Sequence, residues 1–270
     1  MANSSNKGAA VVTGASSGIG AVYADRIAKR GYDLILVARN EARLNSLSTR
    51  LTSETGRSIE VLPADLNNRT DLAKVEATLR DDPSITLLVN NAGTASVAPL
   101  LNADVEKMEE MIALNVTALT RLTYAAAPAF VARGKGTIIN IGSVVGISPE
   151  ALNGVYGATK AYVLAFSHSL QHELADKGIR VQAVLPGATA TDLWEIAGLP
   201  WQKLPPSTVM SVEEMVDAAL VGLDQGELVT IPGLHDGDEW TRFEAARRVI
   251  SQRFGNSTPA PRYRSAKAAS

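Results

Sequence analysis

The chain has 270 residues, 46% of them hydrophobic and 20% charged, a balance that is typical of a globular protein and excludes an intrinsically disordered one. Its formal net charge of −2 gives no overall attraction to nucleic acid or to an anionic membrane, so neither is an expected partner. The absence of cysteine excludes disulfides, thiol nucleophiles and thiolate metal sites.

Short apolar runs alternate along the chain with segments of helical periodicity, which is the pattern of repeated βαβ units. Strands are predicted at Ala9–Thr13, Asp33–Ala38, Ser58–Pro63, Thr86–Asn90, Gly136–Gly142, Ile179–Leu185 and Leu228–Ile231. Helices are predicted at Ile19–Arg30, Glu41–Thr55, Arg69–Arg80, Val105–Ala132, Val155–Lys177, Val212–Asp224 and Asp238–Arg253. Because several strands are apolar throughout, helices should cover both faces of the sheet. The sequence therefore predicts one α/β domain with a doubly wound, seven-stranded parallel sheet.

The predicted domain covers residues 1–255, and residues 256–270 form a polar, Pro-containing tail. An apolar, Pro-broken segment at about 190–210 is expected to be a mobile lid over the substrate, with a surface helix docked on the core as the alternative. Its apolar residues are Leu193, Trp194, Ile196, Leu199, Pro200 and Trp201. No segment reaches the roughly 20 apolar residues of a membrane span, and the N-terminus has no signal-peptide pattern. We therefore expect a cytoplasmic protein.

A glycine-rich turn follows the first predicted strand and leads into a helix. Gly14, Gly18 and Gly20 would allow the sharp turn, the approach of a pyrophosphate and close packing of helix on strand, while the helix N-terminus offers unpaired N–H groups to the anion. Ser16, Ser17 and Ile19 lie inside this turn and are expected to border the same ligand. A plain structural turn is the alternative. The strand before it and the helix after it favour a dinucleotide site.

The end of the second strand indicates which dinucleotide binds. Such folds place an acidic residue there for a ribose 2′-hydroxyl, or an arginine for a 2′-phosphate. This chain has Ala38 followed by Arg39, and a guanidinium can form charge-assisted, bidentate hydrogen bonds with a phosphate. NADP(H) is therefore favoured over NAD(H), with a merely solvated Arg39 as the alternative.

Tyr156 and Lys160 are four residues apart in a predicted helix, so their side chains lie on one face, one turn from each other. A tyrosine has an ordinary pKa of about 10, and a positive charge at 4 Å is worth roughly 4 kcal/mol at an effective dielectric of about 20. The lysine is therefore expected to lower the pKa of the tyrosine toward neutrality, as suits a general acid or base. Ser143 follows the fifth strand, where its hydroxyl could stabilise a developing oxyanion. Chance spacing on a surface helix is the alternative for the tyrosine–lysine pair.

Taken in order, these pieces resemble the short-chain dehydrogenase/reductase family over about Ala9 to Thr191. The matching residues are the TGxxxGxG turn, Asp65-Leu66, Asn90-Asn-Ala-Gly93, Asn115, Ser143, Tyr156-x-x-x-Lys160 and Pro186-Gly187. The resemblance implies a Rossmann-like fold and a catalytic set of Asn115, Ser143, Tyr156 and Lys160, with Asn115 holding a water that connects Lys160 to solvent. It also implies cofactor contacts from Asp65 and Leu66, from Asn91, Ala92 and Gly93, from Tyr156 and Lys160, and from Pro186, Gly187, Thr189 and Thr191.

The predicted reaction is hydride transfer between NADPH and a small-molecule carbonyl or alcohol substrate, with Tyr156 as general acid or base. The substrate is expected to be an apolar ketone, aldehyde or oxoacyl group that contacts Ser143, Val145, Tyr156 and Trp194. Two alternatives remain: an NAD-dependent alcohol dehydrogenase of the same fold, and a cofactor-binding regulator without turnover.

Two further expectations concern metal ions and subunits. His168 and His172 lie one helical turn apart, but their order does not match a zinc motif, and no metal is expected. We expect a homodimer or homotetramer in which the helices at Val105–Ala132 and Val155–Lys177 pair with those of a second copy. Many family members end near a seventh strand, whereas about 35 residues follow it here, so a tetramer geometry cannot be carried over.

Overall fold

The computed structural model describes residues 7–263, which divide into two compact units. The first unit ends at Gly233 and the second begins at Leu234, earlier than the predicted boundary between residues 255 and 256. The helix predicted at Asp238–Arg253 is present at Gly237–Ser251, within the second unit. Part of the predicted tail, from residue 264 onward, lies outside the described residues.

The first unit is built on a parallel sheet of seven strands within the described part of the chain. The strands are β1 Ala9–Thr13, β2 Asp33–Ala38, β3 Ile59–Pro63, β4 Ile85–Asn90, β5 Gly136–Ile141, β6 Ile179–Val184 and β7 Val229–Thr230. Their order is β3-β2-β1-β4-β5-β6-β7, and each neighbouring pair is parallel. The predicted doubly wound, Rossmann-like fold is confirmed, with strand ends within two residues of those predicted.

Along the chain, helices follow most of these strands, and one helix follows the last strand. They are α1 Gly18–Lys29, α2 Glu41–Thr55, α3 Arg69–Asp81, α4 Val105–Ile112, α5 Leu119–Ala132, α6 Gly154–Leu174, α7 Leu193–Ala197, α8 Val212–Gln225 and α9 Gly237–Ser251. Side-chain caps fix several of their beginnings: Asn40 accepts from the backbone N–H of Arg43 at 3.0 Å, and Asn68 accepts from that of Thr70 at 2.9 Å. Within residues 7–263, no helix combines the length and the apolar character needed to cross a membrane.

The helix predicted as continuous over Val105–Ala132 is interrupted, so that prediction is wrong in detail. A π-helical segment at Ala113–Ala118 separates α4 from α5. A π-turn widens the helix by one residue and leaves the apolar periodicity on either side nearly unchanged, which is why the sequence pattern did not reveal it. The segment contains Asn115, one of the predicted catalytic residues.

The two large clusters of the core cover opposite faces of the sheet, and a smaller third cluster contains Met108, Met111, Val145 and Tyr156. In β1, Ala10 and Val12 pack into a cluster with α1 and α8, whereas Ala9 and Val11 pack into a cluster with α3 and α5. The order of the strands reverses at the β1–β4 pair, where helices connect to opposite faces. Ligands of such sheets bind outside the carboxyl ends of the strands at this reversal. The fold therefore directs attention to the segments after β1 and β4.

Candidate active site

The glycine turn after β1 has the geometry that its sequence predicts. Gly14 and Gly18 have φ of +66° and +52°, in the left-handed region that favours glycine. A Cβ at Gly20 would lie 2.3 Å from the carbonyl oxygen of Gly14, so this glycine permits α1 to pack closely on the turn. Gly20 lines neither cavity described below, and its contribution is to packing.

A hydrogen-bonded clamp joins the ends of β1 and β4 beneath this turn. The hydroxyl of Thr13, which is buried, donates to the carbonyl oxygen of Val89 at 3.1 Å and accepts from the backbone N–H groups of Asn91 and Ala92, both at 3.0 Å. The side-chain amide of Asn91 donates to the carbonyl oxygen of Thr13 at 2.8 Å. Asn91 is thereby committed to holding the glycine turn in place, although it also borders both cavities.

A first cavity, here called the cofactor cavity, runs over the glycine turn to the ends of β2 and β3. The predicted cofactor residues that line it are Gly14, Ser16, Ser17, Gly18, Ile19, Arg39, Asp65, Leu66, Asn91, Ala92, Gly93 and Thr191. The two positive-φ glycines leave the floor free of side chains, and the guanidinium of Arg39 is exposed at one end. These residues fit a dinucleotide, whose phosphates such a turn and helix N-terminus would hold.

Asp65 is already engaged in a local turn at the edge of this cavity. Its carboxylate accepts from the backbone N–H of Asn67 at 3.0 Å, and its own N–H donates to Asp71 at 3.1 Å. One carboxylate oxygen is thus used within the protein. The adenine contact implied by the resemblance stays a prediction.

A second cavity, here called the catalytic cavity, adjoins the first. The predicted residues that line it are Ser143, Val145, Tyr156, Lys160, Pro186, Gly187, Thr189, Thr191 and Trp194. Five residues border both cavities, namely Ile19, Asn91, Gly93, Thr191 and Leu193. A ligand that extends along the glycine turn would therefore reach the side chains of Ser143, Tyr156 and Lys160.

Ser143, Tyr156 and Lys160 come together although Ser143 is distant from the other two in sequence. Ser143 follows β5, while Tyr156 and Lys160 lie one turn apart on α6, and all three are buried. The hydroxyl of Ser143 donates to the carbonyl oxygen of Pro186 at 3.4 Å and accepts from the backbone N–H of Val145 at 3.3 Å. The ammonium of Lys160 lies 5.8 Å from the centroid of the Tyr156 ring. The structure thus assembles two hydroxyls and a cation at one wall of the catalytic cavity.

The electrostatics of this group differ from the expectation of a lowered tyrosine pKa. Burial raises the pKa of Tyr156 above its ordinary value, and the nearby Ser143 hydroxyl only partly offsets this. Burial also lowers the pKa of Lys160 to about 8. Desolvation disfavours the charged form of either group, and for the tyrosine it outweighs the effect of the neighbouring hydroxyl. In this structure Tyr156 is therefore a protonated hydroxyl at neutral pH.

Asn115 lines neither cavity and lies behind Gly93. Its side-chain amide donates to the carbonyl oxygen of Thr94 at 2.9 Å and to the hydroxyl of Thr159 at 3.1 Å, and its oxygen accepts from the N–H of Thr94 at 2.9 Å. A Cβ at Gly93 would lie 3.1 Å from the Asn115 oxygen and 3.7 Å from the Lys160 nitrogen. Asn115 is thus a near neighbour of Lys160, and the water expected between them stays a prediction.

Only the first part of the predicted lid contributes to the site. Leu193, Trp194 and Ala197 of α7 line the catalytic cavity, and the indole N–H of Trp194 donates to the carbonyl oxygen of Thr189 at 3.0 Å. The N–H of Val97 donates to the carbonyl oxygen of Ala197 at 3.1 Å. Leu199, Pro200 and Trp201 lie outside both linings. The segment therefore meets the core at α7, and its mobility stays a prediction.

The two histidines of α6 belong to no multidentate site in the described residues. His168 is half-buried and His172 is exposed. Across residues 7–263, no group of three or more potential histidine, cysteine or carboxylate ligands could hold a metal ion.

Comparison with known proteins identifies the family. A family model described as short chain dehydrogenase matches residues 8–198. The chain belongs to the short-chain dehydrogenase family. The predicted family membership is confirmed.

Two solved structures are similar to this dehydrogenase over nearly its whole length. A short-chain dehydrogenase from Sphingobium yanoikuyae, solved in complex with NADPH, is 51% identical to this chain with a TM-score of 0.93. The match covers 95% of this chain and 100% of the Sphingobium chain. The bulky-bulky ketone specific alcohol dehydrogenase from Comamonas testosteroni is 46% identical with a TM-score of 0.88, covering 95% of this chain and 98% of its own. Similar structures of the family thus include one that holds NADPH.

A curated relative is longer than this dehydrogenase. The very-long-chain 3-oxoacyl-CoA reductase of Bos taurus is 35% identical over 203 residues, which are 74% of this chain and 65% of that protein. The match therefore spans less than two thirds of the relative.

Sequence reasoning missed several residues that line the site of this dehydrogenase. The cofactor cavity is also bordered by Asn40, Arg43 and Asp192, and the catalytic cavity by Val97 and Leu152. Arg43 was detectable in principle, since it falls in the first turn of α2, four residues after Arg39. Val97 and Leu152 lie in loops without periodicity, and no sequence signal assigns them to a cavity.

Proposed function

We propose that this dehydrogenase is an NADP(H)-dependent reductase of apolar ketones, aldehydes or oxoacyl groups. The observation that carries the proposal is the burial of Ser143, Tyr156 and Lys160 on one wall of a cavity that continues into the cavity bordered by Arg39. This arrangement places a proton donor where a ligand held along the glycine turn would end.

Each side chain has a distinct task in carbonyl reduction. The nicotinamide supplies the hydride when it is bound. Tyr156, kept protonated by its raised pKa, donates a proton to the carbonyl oxygen. Ser143 donates a hydrogen bond to the same oxygen as it gains negative charge. The ammonium of Lys160 stabilises the tyrosinate that remains after the proton has left, because opposite charges attract strongly in a buried site.

The choice of NADP(H) rests on the end of β2. Ala38 places no carboxylate there, and Arg39 presents an exposed guanidinium to the cofactor cavity. Arg39 has no ion pair or side-chain hydrogen bond with any other described residue, so its donors are available to a phosphate. The NADPH complex of the Sphingobium yanoikuyae enzyme supports the same choice.

The nature of the substrate follows from the walls of the catalytic cavity. Around the three polar catalytic side chains the wall is largely apolar, formed by Ala95, Val97, Val144, Val145, Leu152, Leu193, Trp194 and Ala197. Such a wall favours a carbonyl with apolar substituents over a densely charged one. The ketone-specific enzyme from Comamonas testosteroni and the 3-oxoacyl-CoA reductases are relatives whose names fit this class.

A carbonyl panel followed by NADPH absorbance tests the reaction. We expect turnover of bulky apolar ketones or of a 3-oxoacyl thioester, and little with small charged keto acids. Tyr156→Phe should lose about 10²–10⁴-fold in kcat, the usual contribution of a general acid, while its NADPH affinity, measured by fluorescence, is retained. Turnover by Tyr156→Phe at the wild-type rate contradicts the proposed role of the tyrosine.

A second experiment tests the cofactor. Arg39→Ala should lower kcat/KM with NADPH by about tenfold or more and leave that with NADH nearly unchanged, because only NADPH carries the 2′-phosphate. Arg80→Ala is a matched control, since Arg80 is an exposed arginine on α3 that lines neither cavity. An unchanged ratio of NADPH to NADH efficiency in Arg39→Ala would refute the proposed specificity.

A further inference from the structure

A second arginine, Arg43, lines the same cavity as Arg39. Arg43 lines the cofactor cavity from the first turn of α2, one helical turn beyond Arg39. Its backbone N–H donates to the side chain of Asn40 at 3.0 Å, which fixes the first turn of the helix. The guanidinium itself makes no hydrogen bond to any described side chain or carbonyl, and the side chain is 57% exposed. Its N–H donors are therefore open to a ligand.

The neighbour of this guanidinium is a carboxylate on the other side of the cavity. Asp192 immediately precedes α7 and also lines the cofactor cavity. Its carboxylate oxygen lies 3.7 Å from the Arg43 nitrogen, which is close enough for an ion pair and too long for a hydrogen bond. Both side chains are more than half exposed, so water and salt screen the pair strongly. A stronger anion could therefore displace Asp192.

The cofactor that we propose would bring such an anion. A 2′-phosphate bound by Arg39 carries close to two negative charges, and one guanidinium does not neutralise them. Arg43 is the other cation that borders this cavity among the described residues, with a planar fork that matches phosphate oxygens. Asp192 has the opposite effect, because its negative charge repels a phosphate in the same cavity.

We infer that Arg43 is a second ligand of the 2′-phosphate and that it exchanges Asp192 for the phosphate when the cofactor binds. The inference rests on the proposed NADP(H) function. Arg43 then favours phosphate-bearing cofactors, and Asp192 opposes them by competing for Arg43. NADH lacks the phosphate, so it leaves the Arg43–Asp192 pair intact. Arg43 and Asp192 are accordingly specificity-determining residues with opposite signs.

Two cofactor fragments test this without any turnover. Calorimetry with 2′,5′-ADP measures binding of the adenosine half that carries the phosphate, and 5′-AMP measures the same half without it. We expect Arg43→Gln to weaken 2′,5′-ADP binding by about tenfold or more, as for the loss of a charge-assisted hydrogen bond, with 5′-AMP changed less than about twofold. Arg43→Lys should recover part of the loss, because it keeps the charge without the fork.

Asp192→Asn should act in the opposite direction. It frees Arg43 and removes a negative charge, so 2′,5′-ADP should bind about two- to fivefold more tightly, the range expected for an exposed ion pair. Arg80 and Asp81 provide the matched control, since they form a similarly exposed pair at 3.6 Å outside the cavity. Neither Arg80→Gln nor Asp81→Asn should alter the affinity for either fragment. Retained 5′-AMP binding also shows that each variant is folded.

Three results distinguish the possible failures. If Arg43→Gln weakens both fragments equally, or if Asp192→Asn leaves 2′,5′-ADP binding unchanged, the inference is overturned. If the wild-type protein binds 2′,5′-ADP no better than 5′-AMP, the proposed NADP(H) specificity fails as well. If Arg39→Ala loses the preference for 2′,5′-ADP over 5′-AMP and Arg43→Gln keeps that preference, the proposed function stands and only the role of Arg43 is refuted.

Discussion

The ammonium of Lys160 donates a hydrogen bond of 2.9 Å to the carbonyl oxygen of Ile141, the last residue of β5. The lysine is only 7% exposed, and burial lowers its pKa to about 8. A backbone carbonyl stabilises the ammonium less than a carboxylate would, so desolvation dominates. The cation next to Tyr156 is therefore charged at neutral pH and close to losing its proton.

The first prediction concerns the pH dependence of reduction. Lys160 must be charged to stabilise the tyrosinate, whereas Tyr156 stays protonated well into the alkaline range because its pKa is raised. We therefore expect kcat/KM for carbonyl reduction to fall as pH rises through about 8, with the loss of the lysine proton. Steady-state assays from pH 6 to pH 10 with saturating NADPH measure this pH dependence of kcat/KM. A value that stays constant to pH 9.5 contradicts the assignment.

The second prediction concerns stability. The pKa of Lys160 is about 8 in the folded protein and 10.5 ordinarily, so between these values the unfolded chain binds more protons than the folded one. The free energy of unfolding should rise with pH across this window, and below pH 8 the cost of burying the charge is present in full. Lys160→Met removes that cost and should stabilise the protein at pH 7 by about 1–2 kcal/mol, after the lost hydrogen bond is counted, while abolishing turnover.

Urea unfolding at pH 7 and pH 9.5 measures this effect. The free energy of unfolding should increase more from pH 7 to pH 9.5 in the wild type than in Lys160→Met. A variant that is less stable than the wild type at pH 7 would show that the hydrogen bond to Ile141 outweighs the desolvation of the ammonium.

The third prediction concerns the packing of the glycine turn. In Gly20→Ala the new Cβ meets the carbonyl oxygen of Gly14 at 2.3 Å and the Asn91 amide at 2.5 Å, so the turn must shift. We expect a loss of about 1–3 kcal/mol in unfolding free energy, typical of overpacking, together with at least about tenfold weaker NADPH binding. Gly237→Ala, at the first residue of α9, meets no atom within 4 Å and should change stability by less than about 1 kcal/mol. Unaltered NADPH affinity in Gly20→Ala would contradict the packing role.

The fourth prediction concerns the subunits. We propose that α5 and α6 form the contact of a homodimer, or of one interface in a homotetramer. Tyr124 on α5 is 69% exposed, and its ring stacks on Phe166 of α6 with centroids 6.5 Å apart. The two helices therefore present an aromatic surface that a second copy of the chain would cover. Tyr124→Arg should weaken association by about tenfold or more, as expected for an interface tyrosine.

Light scattering across a dilution series measures this association. Val221→Arg serves as the control, because Val221 is an exposed apolar residue on α8, away from both helices. A monomeric mass for the wild type at micromolar concentration would exclude the proposed contact.

The positions of the strands and the family could be predicted because their signals are local. Apolar runs such as Leu34–Val37 identify buried strands one at a time, and the glycine turn and the Tyr156–Lys160 spacing are each contained within a few residues. The π-helical segment around Asn115 gave no such signal, since one extra residue in a helix hardly alters the apolar pattern.

The sequence by itself determined the fold, the family, and the positions of Tyr156 and Lys160 on one face of a helix, because each depends on residues close together in the chain. The tertiary structure decided how strongly these groups hold their protons. Burial of both side chains reverses the expected direction for the tyrosine pKa, and burial is a property of the packed molecule. The tertiary structure also places Asp192 next to Arg43 across the cofactor cavity. No local pattern could indicate this contact, because the two residues belong to distant segments of the chain.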